Sequence, residues 1–289
     1  MTVLPRLLLS IALLGGVSLA VQAQPKPADA PAGKPVPAEL QAAVTRAEFL
    51  GRELYLHDRA AWLATDAMRA DKRMTALMDR LGGWITEPSA LGVRVVFHSR
   101  DDTPVSLYEI DVDESERLSD AVVGASTPLT DAQRAQVRAR KLAQAQTFGH
   151  CGDDYNTAAL ASLDGFRVYR MPVFSRQDVY PLGGYQLYEI DATGKKILST
   201  RRFTNGCIDL DERRKLDKAD GRPSEPVMSL VSHLLDPQPT EIHVFASLYA
   251  RQPMRVVTTT NGQSWRVVDG KITLVDAAPV APLDAASTP

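Results

Sequence analysis

The sequence predicts an α+β fold: a largely antiparallel sheet covered by a long N-terminal helix and two shorter helices. Three observations carry this. From Ala38, the residues Leu40, Val44, Ala47, Leu50, Leu54, Ala61, Thr65 and Met68 recur at three- and four-residue spacing with no proline between them. That is the stripe of an amphipathic helix. Near the C-terminus, Asn261-Gly262 and Asp269-Gly270 separate short apolar runs, as hairpin turns do. The phrase Leu-Tyr-Glu-Ile-Asp occurs at 107–111 and again at 187–191. Each copy is the second strand of a strand–loop–strand unit, so a duplicated β-hairpin module is one reading and coincidence the other.

The chain has 289 residues. Residues 1–23 read as a secretory signal peptide. Arg6 is followed by an apolar run from Leu7 to Ala20, and Val21-Gln22-Ala23 offers the small residues of a cleavage site. Residues 24–37, QPKPADAPAGKPVP, are too poor in large apolar groups to offset their ordering entropy and read as a disordered linker. Residues 276–289 read as a disordered tail, and 38–275 as a single domain. Cleavage near Ala23 sends the mature chain to the periplasm or the medium, with no transmembrane segment.

In order along the chain, the long helix is followed by a short one over Met74, Leu77, Met78 and Leu81, which Gly82-Gly83 ends. Strands follow at Val93–Phe97 and Val105–Val112. Thr130 with Gln133 forms a capping box that opens a helix to about Phe148. Arg134, Arg138 and Lys141 share one face of it, as a solvated face or as an anion or membrane contact. Strands follow at Phe166–Val173, Tyr185–Ile190 and Ile197–Phe203, and Gly183-Gly184 bends the chain into the second of these. Val227, Leu230, Val231 and Leu234 suggest a short helix behind Pro226. Glu241–Tyr249 alternates as a central strand, and a three-strand meander closes the domain.

The formal net charge is −2, and removing Arg6 makes the mature chain more acidic. A nucleic-acid binder needs a basic excess, so none is expected. Cys151 and Cys207 are the only cysteines; in an exported chain they form one disulfide. The alternatives are a thiol nucleophile beside His150 or a His/Cys metal site. No cofactor or metal is expected, because no nucleotide-binding or zinc spacing occurs. The acidic run from Asp111 to Arg117 lacks the glycine of a calcium loop. His57 and Trp62 lie near the helix stripe, where a histidine is expected to be packed and hydrogen-bonded. The catalytic candidates are His233 and His243, with Asp236 and Ser247. In the strand reading, His243 and Ser247 stand about 13 Å apart, too far for a direct pair.

The segments YPLGGYQLYEIDATGKKILSTRRFTNGC and PTEIHVFASLYARQPMRVVTTTNGQSWRVVDGKI resemble exported proteins of proteobacteria without an assigned function. The resemblance implies a location and carries no functional residue. The expected function is a non-enzymatic binding or interaction module for an envelope or periplasmic protein partner, displaying Tyr169, Tyr180, Tyr185 and Tyr188 on exposed strands. The alternative is a cell-envelope hydrolase with its site near His233, His243 and Cys151.

Overall fold

A computed structural model describes residues 33–146, 151–152, 154–173, 179–211 and 228–276. The predicted signal peptide, His150 and all but the first residue of the predicted C-terminal tail lie outside them. The predicted linker is anchored at its end. Lys34 donates its backbone N–H to Leu274 at 2.8 Å, and Val36 packs on the core, so the folded body begins before Ala38.

The stripe from Ala38 forms helix α1 (Ala38–Ala70). Two short 3₁₀ turns replace the predicted second helix, and Gly82-Gly83 sit inside a strand. Strands β1 (Leu81–Pro88), β2 (Gly92–Ser99), β3 (Ser106–Asp113) and β4 (Val122–Val123) form an antiparallel sheet in that order. The capping box then opens α2 (Asp131–Gln144). A second antiparallel sheet follows. It contains β5 (Tyr155–Ser162), β6 (Gly165–Pro172), β8 (Gln186–Asp191) and β9 (Ile197–Arg202), with β7 (Val179–Pro181) lying between β6 and β8 in the chain. Strand β7 pairs instead with β10 (Asp209–Asp211).

The two Leu-Tyr-Glu-Ile-Asp copies occupy the third strand in the order of the first and second sheets, β3 and β8. Ile110 faces Val95 and Tyr108 faces Phe97 across the first ladder. Ile190 faces Phe166 and Tyr188 faces Val168 across the second. Tyr108 and Ile110 pack with Ala60, Ala64 and Met68 of α1; Tyr188 and Ile190 pack with Ala135, Ala139 and Ala143 of α2. Each copy therefore turns its Tyr-x-Ile face to the helix that precedes its own sheet, and in each helix small alanines four apart let the strands approach.

The third sheet corrects two elements. Residues predicted as a helix form strand β11 (Ser229–His233), and the predicted central strand is helix α3 (Glu241–Ala250). Helix α3 is the crossover between β11 and β12 (Met254–Thr258), which run parallel. Strands β13 (Gln263–Val268) and β14 (Lys271–Val275) complete the meander as predicted. The alternation in Glu241–Ala250 misleads because this helix is buried almost all round, and such a helix has no polar stripe to reveal its period. It crosses α1 at Gly51, where an added Cβ would lie 2.5 Å from the Val244 Cβ and 2.6 Å from the Glu241 carbonyl oxygen. Gly51 is thus a close-contact position.

Cys151 and Cys207 are disulfide-bonded, with Cα atoms 5.2 Å apart. The bond joins the segments before β5 and after β9, at the base of the second sheet, as predicted. Gly183-Gly184 pass directly beside it. At Gly184 (φ +88°) an added Cβ would lie 2.5 Å from the Cys151 Cβ. The glycine pair is needed for this approach as much as for the bend.

Candidate functional site

Helix α2 supplies the seam that holds the first two sheets together. Strands β1 and β5 lie edge to edge without a hydrogen-bond ladder. Gln136 donates through Nε2 to the carbonyls of Thr86 and Ala159, both at 2.8 Å. Arg140 donates to the carbonyls of Trp84 and Thr157 and to Thr157 Oγ1. Two side chains thus satisfy edge carbonyls that a ladder would otherwise claim. Arg140 also lies over the Trp84 ring, 4.4 Å from its centroid. Burial pulls its pKa down to about 10, against the pull of Asp58; it is still a cation at neutral pH.

On the α1 side of this seam opens a cleft of about 480 Å³. Asp58, Trp62, Thr65, Asp66 and Arg69 line it from α1, at the spacing of one helix face. Trp84 of β1, Asn156 of β5 and Met171 and Pro172 of β6 form the facing wall, with Tyr185 and, from α3, Phe245 and Tyr249. The aromatic wall is a packed chain: Tyr185 to Phe245 at 6.0 Å, Phe245 to Tyr249 at 5.2 Å and Tyr249 to Tyr55 at 5.8 Å between centroids. Trp62 is 51% exposed and is backed by Arg59, 4.4 Å from its ring centroid. Arg59 is itself fixed by two hydrogen bonds to Glu116, at 2.9 and 2.8 Å.

Asp58 is the polar centre of the cleft. Asn156 Nδ2 donates to it at 3.1 Å, and the Tyr249 hydroxyl also donates to it. Burial pushes its pKa up to about 6, against these hydrogen bonds and the nearby Arg59 and Arg140. The folded state therefore holds this proton more tightly than the unfolded chain does. Its protonation stabilises the fold, and the gain accumulates as pH falls from about 6 to about 4. Wild type should gain stability relative to Asp58→Asn over that window, read as the difference in urea midpoints. A difference that does not change with pH would show that Asp58 titrates normally.

A second cleft, about 380 Å³, opens on the other side of α1 toward the β1–β2 turn. Here His57 Nδ1 meets Thr86 Oγ1 at 2.8 Å, while Nε2 lies 4.0 Å from Glu53. The set looks like a relay to a hydroxyl nucleophile. Thr86, however, lines a void of only about 10 Å³, which is no larger than a water site. Burial lowers His57 to about 4, so it is neutral at pH 7. It is a packed, hydrogen-bonded histidine, as the sequence predicts.

The structure does bring His233 and His243 together, with ring centroids 4.8 Å apart and edge to face. His233 Nε2 meets Asp236 at 2.9 Å, and Arg201 of β9 donates to the same carboxylate at 2.8 Å. Burial alone would raise Asp236; the His233 and Arg201 contacts outweigh it and hold its pKa below the usual range. His243 serves α3 as a cap. Its Nδ1 accepts the Thr240 backbone N–H at 3.1 Å, which leaves the ring proton on a buried Nε2 with no partner among the described residues. Desolvation, with help from His233, pushes it down to about 3. Both rings are 2% exposed, and neither lines the clefts around α1.

The 13 Å separation of His243 and Ser247 rests on the strand reading and falls with it. On α3 they stand one turn apart. The Ser247 hydroxyl instead donates to the Val244 carbonyl at 2.8 Å. Cys151 has no thiol to offer. Tyr169, Tyr185 and Tyr188 are buried and form no exposed aromatic face; Tyr180 is half-buried. Of the basic face on α2, Arg138 is tied to the Thr193 carbonyl and Arg134 to Asp131.

Sequence reasoning missed Asp58, Trp84, Asn156 and Arg140. A detectable signal was the helical spacing of Asp58, Trp62, Thr65, Asp66 and Arg69, a polar and aromatic face beside the apolar stripe. Among the described residues no group of three or more His, Cys, Asp or Glu side chains is arranged to hold a metal, and no helix is long and apolar enough to cross a membrane. In comparisons with known proteins, the chain matches no family model, no curated protein and no solved structure.

Proposed function

We propose that this protein is an exported, non-enzymatic binding module whose ligand, a component of the cell envelope, seats in the cleft between α1, the β1–β5 seam and α3. The observation that carries the reading is the cleft itself. It is open, Trp62, Trp84 and Tyr249 give it accessible aromatic surface, and its half-buried Asp58 carboxylate is occupied by Asn156 and Tyr249. A binding site of this kind uses apolar walls and a few placed polar groups. The disulfide supports export, as does the signal-like N-terminus. The hydrolase reading rests on His233 and His243, whose burial favours binding over catalysis there.

Tryptophan fluorescence during titration with envelope extract tests this. A saturable change is expected in wild type and in His233→Asn, and is expected to be lost in Trp62→Ala. Turnover of the extract that depends on His233 would overturn the reading in favour of the hydrolase.

A further inference from the structure

We infer that the ligand of this cleft is a neutral sugar ring of a glycan chain; the inference rests on the binding reading above. A pyranose is recognised by two kinds of group together. A flat aromatic ring meets its C–H face, and planar polar side chains beside that ring take its hydroxyls. The α1 face supplies this alternation: Asp58, Trp62, Asp66 and Arg69 follow one another at helical spacing. Asp66 and Arg69 are exposed on the rim, and neither side chain has a hydrogen bond or ion pair among the described residues.

Two other ligand classes fit less well. A cationic ligand would seek the tryptophan faces. Arg59 already lies over Trp62 and Arg140 over Trp84, each 4.4 Å from the ring centroid, and Arg69 adds a third positive charge at the rim. A guanidinium thus already fills the cation position on one face of each ring and holds that ring in place for a neutral ligand. A peptide adding as a strand needs an open sheet edge. The edges nearest the cleft belong to β1 and β5, and their carbonyls are taken by Gln136 and Arg140.

Hydrolysis of such a glycan is not implied. Asp58 and Asp66 lie eight residues apart on one helix, about 12 Å along its axis. Paired carboxylates of glycoside hydrolases stand roughly 5–9.5 Å apart.

The test is titration of the protein with chitotetraose and maltotetraose, with benzyltrimethylammonium and decaproline as the competing classes. Trp265 is fully buried, so a fluorescence change reports Trp62 or Trp84. Saturable quenching by a tetrasaccharide is expected, with affinity at least tenfold weaker in Trp62→Ala and several-fold weaker in Asp66→Asn. No release of shorter sugars is expected. Quenching by the ammonium or decaproline but by neither sugar, lost in Trp62→Ala, would overturn the sugar assignment and leave the binding cleft standing. If no probe acts, the sugar assignment is overturned, and the extract titration decides the binding reading separately.

Discussion

Arg140→Met is expected to destabilise the protein by about 3–5 kcal/mol, the loss seen when one partner of a buried charged network is removed. Methionine matches the length of the arginine stem but donates nothing. The carbonyls of Trp84 and Thr157 lose their donor at the seam between β1 and β5, Asp58 loses a nearby cation, and Trp84 loses the guanidinium over its ring. Urea unfolding reads the loss, and hydrogen exchange should show β1 and β5 amides opening first. Gln136→Leu removes the other bridge and should combine less than additively with Arg140→Met, because both act on one seam. Arg140→Lys should recover only part of the loss, since an ammonium cannot fork between strands. An unchanged midpoint in Arg140→Met would show that helix packing alone joins the sheets.

Opening the Cys151–Cys207 disulfide is expected to cost about 4 kcal/mol in the chain-entropy account of a loop of this length. The cysteines are 56 positions apart in sequence. The bond therefore restrains the unfolded chain across the whole second sheet. The urea midpoint should fall on adding reductant, and the reduced protein and the Cys151→Ser, Cys207→Ser double variant should show the same loss. A reduced protein as stable as the oxidised one would show that packing around Gly183 and Gly184 fixes this corner unaided.

Local chemistry explains which elements were legible in advance. The Thr130–Gln133 capping box, the Asn261-Gly262 turn and the disulfide each depend on residues whose own geometry dictates the outcome. The exchange of helix and strand at β11 and α3 has the opposite cause. Ser-Leu-Val-Ser-His is short, and its apolar residues satisfy either period. Glu-Ile-His-Val-Phe-Ala-Ser-Leu-Tyr-Ala is buried almost all round, so burial erased the polar stripe that marks a helix. Its cap was hidden as well, because His243 takes the place that Glu or Gln usually fills.

The candidate site was legible only in part. Trp62 and His57 stood out from α1, and His57 was placed correctly as a packed side chain. Asp58 gains its raised pKa from burial between segments far apart in the chain, and the hydrogen bonds from Asn156, on a strand almost a hundred residues away, and from Tyr249 of α3 act against that rise. Arg140 reads as one more cation on a basic helix. Its burial is decided by the β1–β5 seam.

By itself the sequence determined what near neighbours decide, the long helix from Ala38, the hairpins and their turns and the two matched strands, together with the disulfide, which follows from an exported chain having two cysteines. Tertiary structure alone decided how those pieces meet. It set the two sheets edge to edge, stitched them through Gln136 and Arg140, and opened an aromatic cleft beside the seam. The physical reason is that a helix face or a hairpin is fixed by interactions a few residues long. A cleft is made by packing between segments that the chain keeps far apart.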